Sequence, residues 1–334
     1  MKHSLLSWIF VALVGGICGF LLWNVNTDKE IWEETSSIRQ SGYEFINPLL
    51  ECENNDSFAK QKYIPFEQDT IKRIENEVQK THSGTEIAVY FRNLNNGPWF
   101  GINEDARFLP ASLMKVTLLI SYLKWWEDDS TLMEKRLILS SEVWLNQMIP
   151  PDKILEIGKE YTVRELLEYM IIYSDNTASR ALFENIPIER QNRVFLDLGV
   201  PLPSTDPNYT ISVKEYASFF RVLYNASYLS KKTSEAGLAM LAKSTFYKGL
   251  TAQIPRNISV AHKFWERERR EENGAVTNQL HDCGVIYYEN YPYLLCVMTR
   301  AKNREITELS EIVAQISGIT FEEIGKRYPI FPKK

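Results

Sequence analysis

The succession of periodicities along the chain predicts an α+β fold of the α/β-sandwich kind. It is an antiparallel sheet flanked by N- and C-terminal helices, with an all-helical subdomain inserted between its strands. Three observations predict it. A helix-period stretch and a strand–turn–strand come first, a long helical block follows, and three strand-like runs then precede a last helix. Strands split by a helical block are expected to meet in one sheet, with helices at the chain ends covering it. With 334 residues, 44% hydrophobic and 24% charged, the chain can bury a large core as one domain or two intimate subdomains.

Residues 1–24 contain Leu5–Trp23, a nearly uncharged run long enough to cross a bilayer. Lys2 precedes it, while Asp28, Glu30, Glu33 and Glu34 follow with only Lys29, so the N-terminus is expected inside and the body outside the cytoplasm. No Ala-x-Ala-like site follows, which points to an uncleaved single-pass signal anchor rather than a cleaved signal peptide. Residues 25–65 are polar and uneven and predict an extracytoplasmic stalk, whose apolar island Tyr43–Leu50 lies back on the domain.

The domain is expected over residues 66–320, with 321–334 as a C-terminal tail. Ile71, Ile74 and Val78 place an amphipathic helix over Phe66–Thr81. Glu86–Arg92 alternates as a strand, Asn95-Asn96-Gly97 is a hairpin turn, and Pro98–Ile102 returns. Helices follow: one is opened by the capping-box pattern Thr162-x-x-Glu165, and others lie over Lys214–Leu223 and Ser234–Ala242. Ser259–Phe264, Val285–Tyr288 and Leu294–Thr299 read as strands, and Glu305–Ser317 as the closing helix. The run Glu266–Glu272 suits a solvated hairpin arm better than a partner site.

A net charge of −5 without a basic face argues against nucleic acid as a partner. The four cysteines and four histidines show no metal-ligand spacing, and no metal or other cofactor is called for. Cys283 and Cys296 fall on one strand pair, where two buried thiols are expected over a disulfide.

Chemistry concentrates at Pro110-Ala111-Ser112-Leu113-Met114-Lys115, which opens the apolar run Val116–Trp126. A helix starting near Ser112 puts Ser112 and Lys115 on one face, Cβ atoms about 5–6 Å apart. The serine then lies in the first turn, where free N–H groups favour a developing oxyanion. A serine hydroxyl needs a base to take its proton, and a lysine with a depressed pKa is one. Alone, Ser-x-x-Lys more often marks a capping serine and a solvated lysine. Two further pieces follow it in order: Ser174-Asp175-Asn176 about 60 residues on, and Lys263 within Val260–Trp265 about 90 beyond that. By itself the second is far more often a capping turn than a site.

With these three motifs in this order, the chain resembles the class A β-lactamase-like serine hydrolases of the β-lactamase and penicillin-binding protein superfamily, across roughly residues 66–320. The first two motifs match fully, the third only at its lysine. The resemblance implies an acyl-enzyme: Ser112 attacks, Lys115 takes its proton, and Ser174 relays a proton to the leaving nitrogen between Lys115 and Lys263. Asn176 holds the substrate amide, and the backbone N–H groups of Ser112 and Glu266 form the oxyanion hole. Lys263 attracts a substrate carboxylate and helps keep Lys115 deprotonated.

Two departures stand out. Family members carry Lys-Thr/Ser-Gly where this chain has Lys263-Phe264-Trp265, so the carboxylate-binding hydroxyl is missing and an indole replaces glycine. Trp265 either lines the substrate cleft or turns outward at a bulge. The loop carrying the family's deacylating Glu-x-x-Leu-Asn is also missing, since Leu198-Gly199 reaches Thr210-Ile211-Ser212 within about a dozen residues. Slow deacylation follows, with Asp206 and Asp282 as substitute bases to consider. His281 and Asp282 lead into a strand beside Lys263 and either reach the cleft or form a structural turn, while His262 should face away from Lys263.

Three functions stay open. The first is a membrane-anchored serine hydrolase acting on a β-lactam or a D-alanyl peptide amide. The second is a D-alanyl-D-alanine peptidase or transpeptidase acting on peptidoglycan stem peptides. The third is a catalytically silent domain binding peptidoglycan or a partner.

Overall fold

The computed structural model describes residues 37–52, 64–139, 149, 152–203, 209–270 and 274–329. The apolar run Leu5–Trp23 and Asp206 lie outside them. Among the described residues no helix is long and apolar enough to cross a membrane.

The chain begins with a small hairpin, β1 (Ser37–Arg39) and β2 (Leu49–Cys52), followed by α1 (Glu67–Thr81), β3 (Glu86–Asn93), β4 (Trp99–Ile102) and the short β5 (Arg107–Phe108). A 3-10 turn, Ala111–Leu113, feeds directly into α2 (Met114–Asp128). The helical block continues with β6 (Arg136–Ile138), β7 (Glu160–Thr162), α3 (Val163–Ile172), α4 (Asn176–Glu184) and α5 (Ile188–Asp197). It ends with β8 (Ile211–Ser212), α6 (Val213–Tyr224) and α7 (Lys231–Leu241). Three long strands, β9 (Val260–Arg270), β10 (Val276–Ile286) and β11 (Tyr293–Lys302), precede α8 (Ile306–Arg327).

One antiparallel sheet in the order β4-β3-β11-β10-β9 separates two cores. On one face α1 and α8 contribute Ile74, Val78, Ile312 and Ile316 to a core shared with Val89, Phe91, Phe264 and Leu295. On the other, the helical block packs Leu119, Tyr122, Leu167 and Phe220 against Tyr90, Ala261, Trp265 and Cys283. Alternation of side chains along a strand assigns the two faces: Phe264 serves the first core, Ala261 and Trp265 the second. This is the predicted α+β fold. Helix α2 is buried from Lys115 to Leu123, and a helix enclosed on all sides needs no polar stripe. The capping box Thr162–Glu165 opens α3, and Ser212 with Glu215 does the same for α6.

The island Tyr43–Leu50 lies back on the domain as expected. Ile46 is buried in the second core, Asn47 N donates to Tyr224 O at 2.9 Å, and the Glu235 carboxylate accepts from the N–H groups of Glu44, Phe45 and Ile46.

Three expectations are corrected. The closing helix runs to Arg327 rather than stopping at Ser317, and Ile319 and Ile324 keep its apolar face in the core. Strands β9 and β10 are longer than Ser259–Phe264 and Val285–Tyr288. Thr277, Asn278, Gln279, His281 and Asp282 are polar yet buried, so the apolar pattern that marks a strand is hidden there. Cys283 and Cys296, expected as thiols, are joined as a disulfide. They sit directly opposite each other on β10 and β11 with Cα atoms 4.0 Å apart, close enough for their sulfurs to meet.

Candidate active site

The 3-10 turn holding Ser112 sits against β9, the edge strand, at the seam between sheet and helical block. The turn is pinned by Leu113 N donating to Pro110 O at 2.8 Å and by the buried Tyr216 hydroxyl donating to Leu113 O at 3.0 Å. Ser112 is half-buried, and Lys115, on the next turn, is 4% exposed.

Lys115 Nζ donates to Ser174 O at 2.6 Å and to Asn176 Oδ1 at 2.8 Å, and lies 3.4 Å from Ser174 Oγ. All its partners come from the junction of α3 and α4. The junction is shaped by Ser174 at φ 58°, the left-handed region that side chains seldom adopt and that often marks functional turns. The flanking residues hold it: Asp175 N donates to Tyr169 O at 3.1 Å, and the Asp175 carboxylate caps α4 by accepting from Ala178 N at 2.6 Å. In Ser174-Asp175-Asn176 the middle residue is therefore a helix cap while the outer two face Lys115. Burial raises the Asp175 pKa, and the cap hydrogen bond and Lys115 act against that.

Burial drives the Lys115 ammonium well below its ordinary proton affinity, and the positive charge of Lys263 pushes the same way. Asp175 and Glu266 oppose these effects without reversing them. Lys263 is completely buried, with its Nζ 3.3 Å from Phe264 O and 4.5 Å from the Phe264 ring centroid. Its pKa falls to about 8, first through desolvation, with Asp282 and Glu266 pulling it back up. A half-exposed hydroxyl one turn from an ammonium that readily gives up its proton can work as nucleophile and base.

A protein-family model described as the β-lactamase enzyme family matches residues 69–324. The chain belongs to this family. Solved structures agree on the fold. A mutant of PBP-A, captured as an acyl-enzyme complex with penicillin G, has a TM-score of 0.62 at 20% identity, over 78% of this chain and 97% of that one. The class A β-lactamase from Mycobacterium abscessus has 0.66 at 18% identity, over 77% and 99%. A class A representative from Bacteroides cellulosilyticus has 0.66 at 18%, over 78% and 98%.

Against this family background the structure separates the candidate residues. Lys115, Ser174 and Asn176 are joined by hydrogen bonds, Lys263 lies within electrostatic reach of Lys115, and the turn holding Ser112 packs against the strand of Lys263. Trp265 does not line an open cleft: it is 3% exposed, packed in the second core with its ring centroid 4.7 Å from that of His281. His281 is equally enclosed, edge-on to Phe108 at 5.3 Å, and burial drives its pKa down to about 3, so it is neutral. Asp282 faces the opposite core, where its carboxylate pairs with His262 Nδ1 at 2.8 Å and accepts from Leu250 N at 2.9 Å. His262 therefore points away from Lys263 as expected, and the hope of a base at Asp282 fails because alternate residues of a strand face opposite sides.

Sequence reasoning missed two acids here. It assigned Glu266 only a backbone N–H, yet the half-buried side chain acts on both lysines and its Oε1 accepts from Ile149 N at 3.1 Å. The opposing pull of Asp175 on Lys115 was also unseen, since only the turn of the chain brings that carboxylate near.

Proposed function

We propose that this chain is a serine hydrolase working through an acyl-enzyme on Ser112, acting on a β-lactam or a D-alanyl peptide amide. Its deacylation is slow, and Leu5–Trp23 anchors it with the body outside the cytoplasm. The observation that carries the reading is Lys115, buried, biased toward its neutral form and held by Ser174 and Asn176 beside a reachable Ser112. Ser112 Oγ attacks the carbonyl carbon as its proton passes to Lys115. The oxyanion rests on the N–H groups of Ser112 and Glu266. The proton travels through Ser174 to the leaving nitrogen, the C–N bond breaks, and an ester remains on Ser112.

Hydrolysis of that ester needs a placed base for water, typically worth about 10²–10⁴ in rate. The Glu-x-x-Leu-Asn that supplies it in the family is missing from the short connection after Leu198-Gly199. The second reading is a D-alanyl peptidase or transpeptidase, and the same feature favours its transpeptidase form, in which an amine rather than water takes the acyl group. Several hours with excess fluorescent penicillin should add one equivalent to the intact mass of the wild type and none to Ser112→Ala, with loss over minutes to hours. Fast sustained turnover refutes the slow step. No adduct on either protein supports the silent binding domain instead. For the anchor, the full chain should fractionate with membranes, and a soluble product cut near residue 25 would sink that part.

A further inference from the structure

We propose that a cavity formed by the outer ends of β9, β10 and β11 binds an acidic peptide, taking one carboxylate and one amide N–H. This site is separate from the Ser112 chemistry and stands whether or not an acyl-enzyme forms. Three observations carry it.

The first is how the run Glu266–Arg270 sorts its charges. Phe264 lies in one core and Trp265 in the other, and side chains alternate along the strand from there. Glu266, Glu268 and Arg270 share the face of Phe264, where Arg270 Nε donates to Glu268 at 3.3 Å. Arg267 and Arg269 share the face of Trp265, the one that meets the helical block. Register carries this face across the sheet: Arg269 stands opposite Thr277, Thr277 opposite Lys302, and Gln279 opposite Arg300. An arm of evenly mixed charge in sequence is therefore basic on one side.

The second is a cavity of about 490 Å³ on that face. Among the described residues that line it, Arg269, Arg300 and Lys302 are cations and Glu86 is a carboxylate. Glu86 accepts from Arg300 Nη2 at 2.5 Å and from its Nε at 2.9 Å, so the lining keeps a surplus of positive charge that favours an anion. The enclosed pair Trp265–His281 separates this cavity, in register, from the pair Lys263–Cys283. Leu109, three residues before Ser112, forms part of the wall, so the cavity neighbours the catalytic turn without sharing its lysines.

The third is Gln279, on the cavity wall. It is 3% exposed, and its Oε1 is buried with no hydrogen-bond partner among the described residues. A buried amide oxygen without a donor is costly, so on a cavity wall it points to a ligand that supplies one. A plain anion satisfies the cations but brings Gln279 no donor. An acidic peptide brings both: its carboxylate meets Arg269 and Lys302, and a backbone N–H donates to Gln279 Oε1.

The test is calorimetric titration of the full-length Ser112→Ala protein in neutral detergent, so that acylation plays no part. Three probes are compared: Nα-acetyl-glutamate methylamide, its uncharged glutamine counterpart, and monomethyl glutarate, which has the carboxylate but no N–H. The glutamate probe should bind about ten-fold or more tightly than either control at low salt, and 1 M salt should narrow its lead over the glutamine probe. Arg269→Gln, a change at an exposed side chain, should weaken the glutamate probe about five-fold or more. Gln279→Met, similar in length but without the amide, should bring the glutamate probe down to the level of monomethyl glutarate. If that variant does not fold, the two control probes still decide. Equal affinity for the glutamate and glutamine probes, or indifference to Arg269→Gln, overturns the inference. Equal affinity for the glutamate probe and monomethyl glutarate would make this a plain anion site, such as one for a phosphate headgroup, and overturns the peptide assignment.

Discussion

The Nζ of Lys115 lies 2.6 Å from the carbonyl oxygen of Ser174, 59 residues further along the chain. The contact exists because Ser174 adopts φ 58°, which turns its own carbonyl and hydroxyl toward the α2 lysine. A left-handed serine costs roughly 1–2 kcal/mol that glycine would not, so the residue is kept at the expense of stability.

This leads to a pair of variants. Ser174→Gly should melt higher than Ser174→Ala by about 1 kcal/mol, because only glycine relaxes into that backbone. Both should acylate about 10²-fold or more slowly than wild type, since both lack the hydroxyl. Equal melting temperatures would show that the turn is not strained.

Lys263 gives a sharper trade. Its pKa of about 8 against an ordinary 10.5 means that burying the charged form costs on the order of 3 kcal/mol at neutral pH. Lys263→Met, similar in length and apolar, should raise thermal stability at pH 7 while abolishing acylation. The gain should fade as pH rises from about 8 toward 10.5, where the unfolded lysine also gives up its proton. In wild type, acylation should fall above about pH 8 as Lys263 loses its charge, a limb that a pH–rate profile would display.

His281 links stability to acid. Its pKa is lowered from 6.5 to about 3 by burial, so below about pH 6.5 the unfolded chain binds a proton that the folded one refuses. Stability is therefore complete above pH 6.5 and is lost as pH falls toward 3, by up to about 1.4 kcal/mol per unit. Urea titrations between pH 6.5 and 4 should show this slope, and His281→Leu should flatten it by close to one proton. An unchanged slope would mean that His281 is not enclosed.

Trp265 tests core against cleft. An indole over an open cleft would make Trp265→Gly acylate faster at little cost. The buried indole instead predicts a loss of roughly 3–5 kcal/mol and no faster acylation, with Trp265→Phe retaining most of the stability. Denaturant melts alongside acylation rates measure both.

Much was legible in the residues themselves. Ser112-x-x-Lys115, Ser174-Asp175-Asn176 and Lys263 could be read because their chemistry depends on residue type and order. The helices α1, α3 and α6 could be read because caps and 3.6-residue spacing are local. The outer half of β10 could not, since buried Asn278, Gln279, His281 and Asp282 are polar and their partners lie on other strands.

The sequence by itself determined the order of elements and the three motifs around Ser112, Ser174 and Lys263, because each is a matter of residue identity and short-range spacing. Tertiary structure alone decided which side of the sheet each strand residue faces. It sent Asp282 and Phe264 to one core, Trp265 and His281 to the other, and joined Cys283 to Cys296. It also set the charges of the site, because the proton affinities of Lys115 and Lys263 depend on how deeply they are buried and on the distant residues, Asp175, Glu266 and Asp282, that folding brings beside them.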